Sequence, residues 1–156
     1  MHITIVAVGQ KLPAWAQTAV DDYLARFPRD FTVTVKEVKA EARTGGKPVA
    51  QVMAAEAERI ERAVPAGDIL VAMDEHGRDM TTVDFSKKIS GWKNEGCGVT
   101  FIIGGADGLD QALKAKSRMM LRLSSMTLPH AFARVLLTEQ IYRAWSILAN
   151  HPYHRV

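Results

Sequence analysis

Three short stretches bring together residues that can hold a small molecule. "FIIGGADG", from Phe101 to Gly108, is an apolar run cut off by two glycines, an acid and a third glycine. Such a run reads as a buried strand, and such glycines as a turn that a ligand can approach closely. "VAMDEHG" places Met73 and Asp74 at the end of a second apolar run. "LSSMTLPH", from Leu123 to His130, carries hydroxyls at Ser124, Ser125 and Thr127 just before a helix. Taken singly, those hydroxyls read as ordinary turn chemistry. The terminal "NHPYHRV" is aromatic and basic. His130, His151, Tyr153 and His154 are the available groups for handling a proton or holding a substrate by hydrogen bonds. Tyr153 can stack on an exposed base, and Arg155 can grip a phosphate through its forked guanidinium.

Several chemistries are disfavoured. The first strand continues as "VGQKLP", so no G-x-G-x-x-G dinucleotide fingerprint follows it. "GGADG" lacks the Lys-Ser/Thr of a phosphate-binding loop, and no G-x-S-x-G marks a serine nucleophile. No H-E-x-x-H or paired-cysteine spacing suggests a metal, and none is expected. Cys97 is the only cysteine, so no intrachain disulfide can form. Between glycines at the start of an apolar strand, it reads as an inert, partly buried thiol, which fits a reducing compartment.

The elements that position these stretches follow from pattern. The 156 residues suggest one domain spanning the chain, with hydrophobic residues at 47% and charged residues at 24%. The opening "MHITIVAVG" is too short to span a bilayer and lacks the features of a secretory signal, so a cytoplasmic protein is expected. "ITIVAV", "FTVTVKEV", "DILVAMD", "GVTFIIGG" and "MMLRLS" read as strands. Helices are predicted from Pro13 to about Phe27, Pro48 to Ala63, Thr81 to about Gly96, Leu109 to Ser117, and Pro129 to Ala149. Thr81 with Asp84 resembles a capping box, and Trp15, Ala19, Tyr23 and Phe27 form one apolar stripe. "EARTGGK" and "EHGRDM" read as loops, the first a mobile one. Alternating strands and helices call for an α/β fold with a mostly parallel sheet and helices on both faces.

Net charge is +3, which permits a polyanionic partner without requiring one. Lys36, Lys39, Arg43 and Lys47 cluster in one stretch, either as a solvated loop or as a phosphate contact. Arg134 and Arg143 present the same choice between phosphate and a helix salt bridge, and Glu139 lies four residues before Arg143 in the stabilising order. The last helix carries apolar residues around much more than half its circumference, among them Phe132, Leu136, Leu137, Ile141 and Trp145. One apolar stripe suffices for a monomer's surface helix, so a homodimer through this helix is expected.

"VAVGQKLPAW", "YLARFPRD", "IIGGADGL", "LSSMTLPHAFARVLLTEQIYRAW" and "NHPYHR" together resemble the ribosomal RNA large-subunit methyltransferase H family, within the knotted SPOUT class. The resemblance covers nearly the whole chain. It implies a C-terminal trefoil knot, which sequence patterns do not reveal and which runs against the usual rule of unthreaded connections. It also implies an S-adenosylmethionine-dependent enzyme that methylates N3 of pseudouridine 1915 in 23S ribosomal RNA, acting as a homodimer on the assembled ribosome. Carried over, Met73, Gly104 and Leu123, Ser124, Ser125, Met126, Thr127 and Leu128 line the cofactor site. His130, Tyr153, His154 and Arg155 are then the candidates for substrate positioning or proton handling. Relatives often carry Leu at the position of Met73, a swap of similar volume, and Pro-Glu at the position of Ala106-Asp107. The alternative reading is a non-catalytic ribosome-binding factor of α/β fold.

Overall fold

The computed structural model of the chain describes residues 1–9 and 11–155. Five strands form one sheet: β1 (His2–Val8), β2 (Thr32–Val38), β3 (Ile69–Arg78), β4 (Val99–Ile103) and β5 (Met119–Leu121). Their order is β2-β1-β4-β3-β5, and every pair is parallel. Four helices connect them and a fifth follows the last strand: α1 (Ala14–Leu24), α2 (Val49–Ala63), α3 (Thr82–Asn94), α4 (Gln111–Lys116) and α5 (His130–Leu148). No described helix is long and apolar enough to cross a membrane.

The strand sequences explain the layering. Side chains alternate between the two faces of a strand, and in β1 and β4 both sets are buried. Ile3, Ile5, Val99, Phe101 and Ile103 pack on one face with Phe85, Ile89 and Trp92 of α3 and Leu137 and Ile141 of α5. Val6, Val8 and Ile102 pack on the other with Ile60 of α2 and Leu113 of α4. Full burial of each such side chain contributes about 1.5–3 kcal/mol, so both faces are covered. Thr81 caps α3, its Oγ1 accepting from the Asp84 amide at 3.1 Å.

Some local expectations give way. Leu12, just before α1, and Ala16 and Val20 within it are the buried residues here, and of Trp15, Ala19, Tyr23 and Phe27 only Phe27 packs against the main core. Trp15 is 50% exposed and pairs with Phe132, while Tyr23 and Phe27 join an aromatic cluster around Tyr142. The segment 41–47 is tethered: Glu41 pairs with Lys47 and Arg59, its amide donates to Glu56, and Arg43 pairs with Asp107. A single 3-10 turn, Thr44–Gly46, lies within it. Lys36 donates to the Ala63 carbonyl. Three of the four basic residues noted there thus already have internal partners.

The reading of "EHGRDM" as a loop is also corrected, because β3 continues to Arg78. The register jumps from Met73 opposite Leu121 to Arg78 opposite the same Leu121. The polar segment gains sheet hydrogen bonding through this bulge, with the Arg122 amide donating to the Arg78 carbonyl at 3.1 Å. Gly77 makes it possible, since a Cβ there would lie 2.7 Å from the Leu121 backbone. Gly77→Ala should therefore destabilise by about 1–3 kcal/mol in urea unfolding. Gly91→Ala, in α3 with open space around it, should be neutral or stabilise by up to about 1 kcal/mol.

Candidate active site

The carboxyl ends of β3 and β4 and the segment after β5 wall two adjoining cavities. The smaller, about 150 Å³, lies between Met73, Ile103 and residues 121–128. The larger, about 930 Å³, follows the glycine turn from Gly104 to Leu109 and reaches Lys114 and His130. Met73, Asp74, Ile103, Leu128 and Ala133 border both, so they are one continuous recess. Open parallel sheets place ligands at this edge.

Local backbone chemistry shapes the walls. Gly104 begins a turn that doubles back until a Cβ on it would lie 2.6 Å from the Gly108 carbonyl carbon. The Gly108 amide donates to the Gly105 carbonyl at 3.0 Å and closes the turn. On the facing wall, the Met126 amide donates to Ser124 Oγ at 2.9 Å, bending the segment before α5. Met73, Gly104, Leu123, Ser124, Met126, Thr127 and Leu128 border the recess, whereas Ser125 is exposed and does not.

The charged groups were less legible. Lys114 had no sequence signal beyond its place in a short polar helix. It donates to Asp74 Oδ2 at 2.8 Å, and the His76 amide donates to Asp74 Oδ1 at 2.8 Å. Burial pushes the Asp74 carboxyl up, but Lys114 and the His76 amide outweigh it and hold the group below its ordinary 3.8. His130 lines the larger part of the recess, and burial, then the Arg134 charge, hold its imidazole below the ordinary 6.5.

The tail lies elsewhere. Tyr153, His154 and Arg155 border neither cavity. The Tyr153 hydroxyl is 3.0 Å from both Tyr23 Oη and Glu139 Oε1. Its ring packs 4.7 Å from Tyr142, with the Arg143 guanidinium 4.7 Å above its face. Burial and these two partners push its phenol well above 10. Arg143 pairs with Glu139 at 2.7 Å. Arg134 is 2% exposed and pairs with Glu37 rather than lying on the helix surface. His154 Nδ1 is buried without a partner among the described residues.

Comparison with known proteins gives this recess its context. Residues 1–154 match the family model described as "Predicted SPOUT methyltransferase". The ribosomal RNA large subunit methyltransferase H of Bordetella avium is 55% identical over 155 residues, 99% of each chain. Its namesake from Ralstonia pickettii is 53% identical over the full length of both. The chain belongs to the SPOUT methyltransferase family. Two solved structures agree in fold at low identity. A probable methylase family protein from Haemophilus influenzae has TM-score 0.58 at 13% identity, covering 99% of this chain and 70% of that one. A putative methylase family protein from Neisseria gonorrhoeae has TM-score 0.52 at 14% identity, covering 99% and 95%.

The Asp74–Lys114 pair yields a pH test. A carboxyl held below its ordinary value stabilises the fold above that value, and the gain is lost as pH falls through the folded pKa. Lys114→Met should lower the melting temperature at pH 7, by the equivalent of about 1–3 kcal/mol for a buried carboxylate left short of a partner. The deficit should shrink as pH falls below 3.8 and on through the lower folded value, beneath which Asp74 is protonated in both states. Parallel thermal melts across pH check this.

Proposed function

We propose that the chain is an S-adenosylmethionine-dependent methyltransferase of 23S ribosomal RNA, working as a homodimer on N3 of pseudouridine 1915 in the assembled ribosome. The observation that carries the reading is full-length similarity, at 55% identity, to proteins named as ribosomal RNA large subunit methyltransferases. The recess supports it. Its wall of Met73, Ile103, Leu121 and Leu128 suits the flat, apolar faces of adenine. The backbone edges of residues 123–128 and of the glycine turn suit the ring's polar rim. Gly104 leaves room where a side chain would collide with backbone. No cluster of three or more metal-ligating groups occurs among the described residues. In this reading residues 121–128 belong to the threaded part of a trefoil knot, and action on ribosomes places the protein in the cytoplasm.

The bound cofactor supplies an already activated methyl group on a sulfonium. The chain's work is then positioning, which accounts for a large share of such a barrier. The recess orients the donor and excludes water, and the tail brings in the target base. One protomer alone does not join tail to recess. A dimer through α5 would let one protomer's tail border its partner's recess. The surface of α5 fits that role. Phe132 is 48% exposed and Leu136 37%, beside Trp15 at 50%. Ile141 lies fully in the protomer's own core, so it does not report on the interface.

Methyl transfer from labelled cofactor to methylation-deficient ribosomes, with mapping of the modified nucleotide, tests the function. Cofactor binding without transfer to any ribosomal RNA would sink it. Failure to bind cofactor would favour a non-catalytic ribosome-binding factor. Truncation after Pro152 should leave cofactor binding nearly intact while lowering transfer by at least about tenfold, the loss of one or more charge-assisted contacts. Leu136→Asp and Phe132→Asp should shift the protein toward monomers in sedimentation. A native protein sedimenting as a monomer at micromolar concentration would refute the dimer.

A further inference from the structure

Arg134 is a permanent cation that is 2% exposed. Its Nη1 lies 3.1 Å from Glu37 Oε2, a carboxylate whose side chain is 41% exposed. Its Nη2 is buried with no partner among the described residues. A buried cation so incompletely compensated is an expensive way to hold a helix to a sheet. The remaining contact shows what the residue does: Arg134 Nε donates to His130 Nε2 at 2.9 Å.

A guanidinium only donates, so Nε2 must present its lone pair. The ring proton of the neutral imidazole is therefore on Nδ1. The Gly104 backbone acts on the ring as a hydrogen-bond acceptor that favours its protonated form, and burial and the Arg134 charge outweigh it. Nε2 is thereby committed to the buried arginine, which leaves Nδ1–H as the ring's donor toward the Gly104 backbone. The ring itself borders the larger part of the recess.

We propose that Arg134 and His130 form a positioning pair for the cofactor pocket, in which Arg134 locks His130 as the neutral Nδ1–H imidazole and that ring holds the Gly104 turn against the recess. The proposal rests on the cofactor reading of that recess. The lock has two effects on a sulfonium ligand. It fixes the backbone that the ligand packs against, and it keeps an imidazolium charge away from a cationic centre. It also removes His130 from the list of proton acceptors, because its only lone pair on nitrogen is already taken. Any base for the target imide must then come from the tail or from water.

The charges that face the ring are Arg134 on its own helix and Glu37 on β2, with the Gly104 backbone as the third partner. Lys11, after β1, borders the same cavity. Protonation of Nε2 would replace the acceptor with an N–H facing a guanidinium, so the contact would break. The neutral ring is fully present above its ordinary 6.5 and is lost as pH falls through the folded value below it. Cofactor affinity should fall over that same window.

The test uses the whole protein, S-adenosylmethionine titrations by calorimetry, and the ¹⁵N shifts of His130. The unmodified protein should show the Nδ1–H tautomer and titrate below 6.5. Arg134→Met removes the buried cation; it should release the tautomer preference and weaken cofactor binding about tenfold at pH 7, the loss of one charge-assisted contact. His130→Asn keeps a donor near the Nδ1 position and should retain more affinity than His130→Ala, with the acid-side loss of binding abolished. If Arg134→Met does not fold, the two His130 variants still decide. Unchanged tautomer and affinity in Arg134→Met would overturn the proposal, as would equal affinities and unchanged pH dependence in the His130 variants. Absence of binding by the unmodified protein would instead sink the cofactor reading itself.

Discussion

Backbone packs directly on backbone where β4 leaves the sheet, and the recess edge is organised around that contact. Gly104 approaches Gly108 so closely that no side chain fits between them. The turn is held from outside as well. Asp107 pairs with Arg43, and Gly105 lies against the carboxylate of Glu56, which also accepts from the Glu41 amide. Glu41 in turn gathers Lys47 and Arg59, and the Lys47 hydrogen bond leads the effects that hold its carboxyl below the ordinary value. The basic stretch after β2 is therefore coupled mechanically to the glycine turn. Its charges are spent within the fold, which leaves Lys39 as the member of that cluster whose ammonium has no internal partner among the described residues.

Helix α5 answers to several surfaces at once. Leu137, Ile141 and Ala144 seal one face of the sheet. Ala131 and Val135 pack on α1. His130 borders the recess with Arg134 buried behind it, while Phe132 and Leu136 remain in the open. Its far end anchors the tail through Tyr142, Glu139 and Arg143. Tyr153 is thus held in place rather than hanging free, and a base that stacks on it would have to compete with, or build on, an aromatic cluster shared with Tyr23 and Tyr142. His154 Nδ1 in the same tail is buried without a hydrogen-bond partner among the described residues.

Much of the fold is legible in the sequence. Apolar runs such as "ITIVAV" and "FIIGG" can only be buried on both sides, so a central parallel sheet with helices on both faces follows. Strand and helix bounds came within a few residues because Pro13, Pro48 and Pro129 each cap the start of a helix. The misreadings share a cause. "EHGRDM" is polar and contains a glycine, so its pattern says loop, yet hydrogen bonding to β5 makes it strand. The stripe Trp15–Phe27 and the core stripe Leu12–Val20 have the same spacing, and only the position of α5 decides which of them faces inward.

The order and chemistry of the residues by themselves determined the fold class, the glycine turn, and the candidates for the recess wall. These follow from local periodicity and backbone conformational preference, which act over a few residues. Tertiary structure alone decided which charges meet. Lys114 reaches Asp74 across forty positions, Arg43 reaches Asp107, and Arg134 is drawn inward to Glu37 and His130. Such pairs depend on distances of 3 Å or so between groups far apart in the chain, and no spacing along the chain encodes them. The separation of the tail from the recess is of the same kind, since it is set by how α5 crosses the sheet.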